Sequence, residues 1–147
     1  MATEESDPAA DPRADYDYVG GAVDDAHADL VAGLRDRVAG EVRFDEFTRS
    51  LYATDASAYE VTPVGVVVPR DTSDAAATVS FCAEQGVPVL PRGGGTSLAG
   101  QSVNEAVVLD FTAAMDAVVD VDPGGRTATA QPGCLLGDLN TGSPSTA

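Results

Sequence analysis

The stretch Pro91-Arg-Gly-Gly-Gly-Thr-Ser-Leu-Ala-Gly100 follows directly on the apolar run Val87-Pro-Val-Leu90. Three consecutive glycines narrow the possible folds more than any other feature of the chain. Fixing a glycine backbone costs roughly 0.5–1 kcal/mol relative to alanine. A run of three therefore implies a backbone requirement: a positive φ, the close approach of another group, or both. An anion cradle has both needs, because successive N–H groups point into a concavity whose usual guest is phosphate. Thr96 and Ser97 add hydroxyl donors, and Arg92 brings positive charge beside the loop. The competing reading is a glycine-rich turn with no ligand.

The surrounding pattern sets this loop in an α+β fold. Leu30, Val31, Leu34 and Val38 recur at helical spacing from Asp24 onward, and Gly40 suits the stop. Glu41 to Asp45 reads as a short strand, and Thr48 to Tyr59 as a helical turn and loop. Val64 to Val68 is a short buried strand closed by Pro69. Thr72 or Ser73 can cap the next helix, with Ala76, Val79, Cys82 and Ala83 on its inner face and Gly86 at its end. Val87 to Leu90 is the second strand of the resulting βαβ unit, and it feeds the glycine loop. Val107 to Asp110 is a third strand. Val118 to Val121 and Arg126 to Gln131 form a hairpin around Asp122-Pro-Gly-Gly125, Pro132 and Gly133 break it, and Leu135 to Asn140 starts a helix. The expected organisation is a disordered acidic tail over 1–22, a helical lead-in over 23–60 and a glycine-loop domain over 61–147.

Two nucleotide motifs test the loop. The pattern G-x-G-x-x-G fails, since position 98 is Leu and the next glycine is Gly100. Gly95-Thr-Ser-Leu-Ala-Gly100-Gln-Ser102 comes nearer to a phosphate-binding P-loop, with Gln101 in place of the lysine. Gln101 carries no charge for phosphate, and only five residues separate it from Val107, too few for the helix of about 10–12 residues that a P-loop opens. A degenerate P-loop module binding a phosphate ligand stays the alternative.

Charge limits the partners. There are 24 acidic residues against 8 basic ones, all of them arginine, for a net charge of −16. A field of this sign disfavours nucleic acid and anionic membrane surfaces. It matches a protein of a high-salt cytoplasm, kept soluble by surface carboxylates; the other reading is an acidic face for a cationic partner. It does not forbid a phosphate ligand, because distant carboxylates are screened beyond about 10 Å at 0.1 M salt. Without lysine no Schiff base can form. His27, the only histidine, has no metal-type cluster beside it, so neither a metal site nor a catalytic group is expected. Cys82 and Cys134 do not suggest a disulfide framework. Met1-Ala-Thr-Glu-Glu-Ser-Asp-Pro8 is no signal peptide and no apolar run approaches the ~18 residues of a membrane span, which makes a cytoplasmic protein without membrane insertion the expectation.

Five segments in order, Tyr52-Ala-Thr-Asp55, Val66-Val-Val-Pro69, Val87 to Gly100, Val107-Val-Leu-Asp110 and Gln131-Pro-Gly-Cys134, resemble the N-terminal part of the FAD-binding (PCMH-type) domain of the vanillyl-alcohol oxidase / p-cresol methylhydroxylase superfamily. The nearest likeness is to its D-lactate dehydrogenase and glycolate oxidase FAD-subunit group. The resemblance implies that Pro91, Arg92, Gly93, Gly94, Gly95, Thr96 and Ser97 wrap the FAD pyrophosphate, with Gly100 and Gln101 flanking. It implies that Tyr52 and Asp55 are structural. It implies non-covalent FAD, since Thr96 and Ser97 stand where some relatives carry a flavin-linking histidine; Cys134 matches no such position. The implied reaction is oxidation of a 2-hydroxy acid such as D-lactate or glycolate by hydride transfer to flavin N5, the chemistry being the cofactor's. Members of this family continue with a second FAD segment, the rest of an antiparallel subdomain and a substrate-binding cap. The chain is therefore expected to be an incomplete FAD-binding domain, inactive alone unless another chain completes it, or else a non-catalytic fragment.

Overall fold

The computed structural model describes residues 27–141. The expected acidic tail over 1–22 lies outside them. Ten elements follow one another: α1 (Ala28–Arg35), β1 (Glu41–Arg43), α2 (Glu46–Leu51), β2 (Gly65–Val68), α3 (Thr72–Glu84), β3 (Val89–Arg92), β4 (Val107–Asp110), β5 (Val118–Asp122), β6 (Thr127–Ala130) and α4 (Leu136–Thr141). The α+β reading holds.

β1 to β4 form one sheet in the order β1-β2-β4-β3. β1 runs antiparallel to β2, while β2, β4 and β3 are parallel. The βαβ unit thus differs in one respect from its sequence reading. β4, the next strand in the chain, inserts between the two strands that α3 connects. β3 becomes an edge strand, which is why it tolerates Pro91, a residue with no N–H to give to a ladder.

Register divides the strands into two buried faces. Val67, Val107 and Leu109 share a row with Leu30, Val31, Leu34, Phe81 and Cys82 in the main core, beneath α1 and α3. Val66 and Val108 point the other way and are fully buried as well, with α2 packed against β2. Burial on both faces explains why β2 and β4 read as unbroken aliphatic runs and not as alternating ones.

α3 corrects two expectations. Asp71 caps it, accepting from the N–H of Ser73 at 2.8 Å and of Asp74 at 3.1 Å; neither Thr72 nor Ser73 does. Its inner face is Asp74, Thr78, Phe81 and Cys82, while Ala76, Val79 and Ala83 face solvent. The stripe is hidden because it begins with a polar residue. Asp74 is buried to satisfy backbone donors, accepting from Ala39 N and Arg70 N, each at 2.9 Å, where β1 and β2 enter and leave.

β5 and β6 make a separate antiparallel hairpin with a register shift between Val118 and Asp120. Beyond Val118 every one of its residues is exposed, including Val119 and Val121. No helix among the described residues is long and apolar enough to cross a membrane.

Candidate functional site

Residues 93–106 carry the chain from β3 to β4, and none of them is helical. The P-loop reading fails here, because no helix follows Gly100. The glycine loop is itself the crossover between two adjacent parallel strands, and fourteen residues are enough for that.

Hydrogen-bond accounting gives the loop its chemical character. Among the described residues, the N–H groups of Gly93, Gly94, Gly95, Thr96, Ser97 and Leu98 donate to no acceptor of the chain. Backbone donors nearly always find a partner, in the protein or in solvent. Six in succession on a loop of exposed and half-exposed residues form a row of donors open to something outside the chain.

The glycines divide into two kinds. Gly95 and Gly100 have φ of +64° and +77°, left-handed conformations that favour glycine. The chain also crowds them: a Cβ would stand 2.9 Å from Arg92 Cζ at Gly95 and 2.7 Å from Tyr59 Cδ2 at Gly100. Gly93 and Gly94 have no positive φ, and a Cβ on them would meet nothing closer than Pro132 O at 3.5 Å and Thr96 Cγ2 at 3.7 Å. Nothing among the described residues requires glycine at those two positions. The space left by their missing side chains lies beside the open donors, as a bulky anion such as a pyrophosphate needs.

The polar side chains of the loop mostly turn inward. Ser97 Oγ accepts from the N–H of Gln101 at 3.1 Å and of Ala99 at 3.3 Å, and it also bonds Gln101 Oε1. Ser97 and Gln101 thereby close the turn that carries Gly100. Thr96 is exposed. The Arg92 guanidinium lies beneath the loop, donating to the carbonyls of Ser102 at 2.8 Å, Thr54 at 2.9 Å and Tyr52 at 3.4 Å. Pro91 sits in β3 opposite Leu109.

The lead-in segment meets the loop from below. Asp55 accepts from Ser102 Oγ at 2.9 Å and from Ser57 N at 2.8 Å. Bonds from Ser57 first, and then Ser102, hold its carboxyl down at about 2. The Tyr52 hydroxyl donates to Asp110 Oδ2 at 2.5 Å, while Asp110 Oδ1 caps the turn after β4 through Thr112. Sequence reading singles out Tyr52, Asp55 and Asp110 but does not pair them, and it gives Ser102 no role as a partner. The usable clue was an aspartate closing an otherwise aliphatic strand.

Burial, then the bond to Asp110, push the Tyr52 hydroxyl up from 10.0 to about 12. A raised folded value means that this contribution is fully present below about pH 10 and is lost as pH rises through about 12. Hydrogen bonds to charged groups contribute roughly 1.5–3 kcal/mol, less where solvent screens a half-exposed pair. Tyr52→Phe is expected to cost about 1 kcal/mol in urea melts at pH 7–9. The gap should close between about pH 10 and 12; a gap that stays constant to pH 12 would contradict this assignment.

The Gln131-Pro-Gly-Cys134 turn closes the site on a third side. Gln131 exchanges bonds with Ala117 through both its backbone N–H (2.8 Å) and its side-chain Oε1 (2.9 Å). Cys134 is half-buried, with Sγ 3.5 Å from Leu135 O, and Cys82 is fully buried.

Comparison with known proteins identifies the family. A family model described as an FAD binding domain matches residues 63–143, more than half of the chain. The chain is 34% identical over 104 residues to a D-2-hydroxyglutarate dehydrogenase of Pseudomonas putida, covering 69% of this chain and 10% of that protein. It is 34% identical over 108 residues to the glycolate oxidase subunit GlcD of Bacillus subtilis, covering 70% and 23%. Among solved structures, p-cresol methylhydroxylase with substrate bound superposes with a TM-score of 0.62 at 18% identity, over 82% of this chain and 25% of that one. At that identity the likeness speaks for the fold alone. The chain thus spans about a tenth to a quarter of the length of these curated relatives.

Proposed function

The chain belongs to the FAD-binding domain family, and from that premise we propose that the loop 91–101 is where it holds the FAD pyrophosphate. FAD is the cofactor of this domain. The observation that carries the placement is the run of six N–H donors, Gly93 to Leu98, with no acceptor among the described residues. Each bond from such a donor to a charged oxygen contributes roughly 1.5–3 kcal/mol. Several together outweigh a global field of −16 that salt screens within about 10 Å. Pro91 sets the loop's entry at the sheet edge, Gly93 and Gly94 leave the space, Thr96 is free to add its hydroxyl, and Ser97, Gly100 and Gln101 shape the return. The flavin is held without a covalent link, since the loop offers no histidine and Cys134 Sγ faces a backbone carbonyl.

The activity proposed for the complete protein is oxidation of a 2-hydroxy acid, the substrate type named for the hydroxyglutarate and glycolate relatives. When bound, the flavin accepts the hydride; this stretch of chain positions the cofactor. A complementing polypeptide, or further sequence, supplies the substrate side. The exposed β5-β6 hairpin, with Val119 63% and Val121 47% accessible, supports that reading, because an isolated two-stranded hairpin is marginal in water. The charge balance supports a high-salt cytoplasmic setting.

Titration with FAD, followed by flavin fluorescence, tests the placement. Saturable binding in roughly the micromolar-to-millimolar range, about −8 to −4 kcal/mol, is expected, with ATP a much poorer ligand and no bleaching by D-lactate or glycolate. ATP binding as well as FAD would contradict the placement, and substrate-dependent bleaching would contradict the need for further chain.

A further inference from the structure

We infer that Arg92 and the lead-in residues Thr54 to Tyr59 act as a positioning clasp for the glycine loop, and that Arg92 serves the cofactor through the loop and not as a phosphate ligand. This rests on the reading of the loop given above. Sequence alone makes Arg92 the obvious cation for a pyrophosphate. The structure commits its guanidinium elsewhere, to three backbone carbonyls on two separate segments: Tyr52 and Thr54 in the lead-in, and Ser102 where the loop returns. The same group stands 5.3 Å from the centre of the Tyr52 ring, within cation–π range. Gly95, at a φ of +64°, then curls over it, so that a Cβ there would stand 2.9 Å from Arg92 Cζ and push the guanidinium off its carbonyls.

The clasp has further points of attachment. Ala56 N donates to Gly95 O at 3.2 Å, pinning the middle of the loop. Asp55 takes the Ser102 hydroxyl at 2.9 Å, pinning its end. The Tyr59 ring backs Gly100. Every one of these contacts uses a carbonyl, a side chain or the loop's return, and none uses an N–H of residues 93–98. The loop is therefore held by its acceptor side while its donor side stays open. Holding it in advance removes an ordering cost that a free fourteen-residue loop would meet on binding.

A planar fork spanning three carbonyls cannot be replaced by an ammonium, whereas a simple charge for phosphate could be. That contrast separates positioning from direct contact. Arg92→Lys, Arg92→Met and Asp55→Asn are titrated with FAD across a salt series. On the clasp reading all three weaken FAD by a factor on the order of ten, and the dependence of affinity on salt keeps the wild-type slope. Lysine restoring near-wild-type affinity while methionine flattens the salt slope would overturn it, as would wild-type binding by Asp55→Asn. A second readout does not need flavin. In the unliganded chain, hydrogen exchange at Ala56 N–H should accelerate in Arg92→Lys and Asp55→Asn while the amides of β4 keep their protection. Unchanged exchange at Ala56 would overturn the clasp even if FAD binding is weak. Failure of the wild-type chain to bind FAD alongside accelerated exchange would instead tell against the placement of the pyrophosphate and leave the clasp supported.

Discussion

Gly94→Val is expected to lower FAD affinity by a factor on the order of 100 or more, while the free energy of unfolding changes by less than about 1 kcal/mol. The two halves of that result come from the same geometry. Gly94 is exposed, has no positive φ, and a Cβ on it would have Thr96 Cγ2 as its nearest neighbour at 3.7 Å. The folded chain has room for a larger residue, and replacing glycine where the backbone is compatible restrains the unfolded chain by a few tenths of a kcal/mol to about 1. The bound state has no such room if the pyrophosphate lies over the donors of residues 93–98. Two branched methyl groups would hold the phosphates away from the N–H groups, and losing two bonds to a charged group costs roughly 3–6 kcal/mol. Flavin fluorescence titration and urea denaturation on the same preparation measure both quantities. A valine variant that binds FAD like wild type would remove this loop as the pyrophosphate site, whatever its stability.

The contrast between Gly94 and Gly95 marks how far sequence alone reaches. Five of the features that define the site were legible: the glycine run, the aliphatic strands on either side of it, the aspartate closing β4, the Tyr52-Ala-Thr-Asp55 lead-in and the Gln131-Pro-Gly-Cys134 turn. They were legible because each is a local chemical requirement. What the chain did not disclose is the direction in which each group faces. Arg92 looks like a ligand in one dimension and lies under the loop in three, because its partners are carbonyls 10 to 40 positions away. Ser97 looks like a donor to a guest and instead closes a turn with Gln101. α3 was misread for a related reason. Its inner face carries Asp74 and Thr78, whose burial is satisfied by backbone groups just before β1, just after β2 and in α3 itself, and a pattern rule that counts only apolar residues passes over them. The insertion of β4 between β2 and β3 is likewise absent from any local signal, since three short strands with aliphatic runs read alike in every order.

Gly133→Ala is expected to do the opposite of Gly94→Val and to destroy the fold, with a loss of about 4 kcal/mol or more. The close approach here is between backbones. A Cβ on Gly133 would overlap the carbonyl oxygen of Phe111, stand 2.5 Å from its carbonyl carbon and lie 2.9 Å from Met115 O. No rotamer change relieves such a clash, because the atoms in the way belong to the main chain. The turn at 131–134 would have to withdraw, giving up the bonds Gly133 N to Met115 O (2.8 Å) and Gln131 N to Ala117 O (2.8 Å). Phe111 and Met115, which this turn holds in place, are buried in the main core, so the withdrawal also opens packing beneath β4. Domains of this size carry only about 5–15 kcal/mol of net stability, so a loss of this order leaves little folded protein at ordinary temperature. Gly137→Ala is the matched control. It lies in α4 with nothing among the described residues within 4 Å of its missing Cβ, and it should be neutral or stabilising by up to about 1 kcal/mol. Thermal melts of the two variants test the difference. Equal melting temperatures would mean that the turn can move away from Phe111 at little cost, and the three-sided closure around the glycine loop would then not be rigid. FAD binding is expected to vanish in Gly133→Ala as well, but together with the fold, because the same turn places Pro132 O against Gly93. Loss of flavin with the fold intact at Gly94, and loss of flavin with the fold lost at Gly133, would separate the space the cofactor needs from the backbone contacts that frame it.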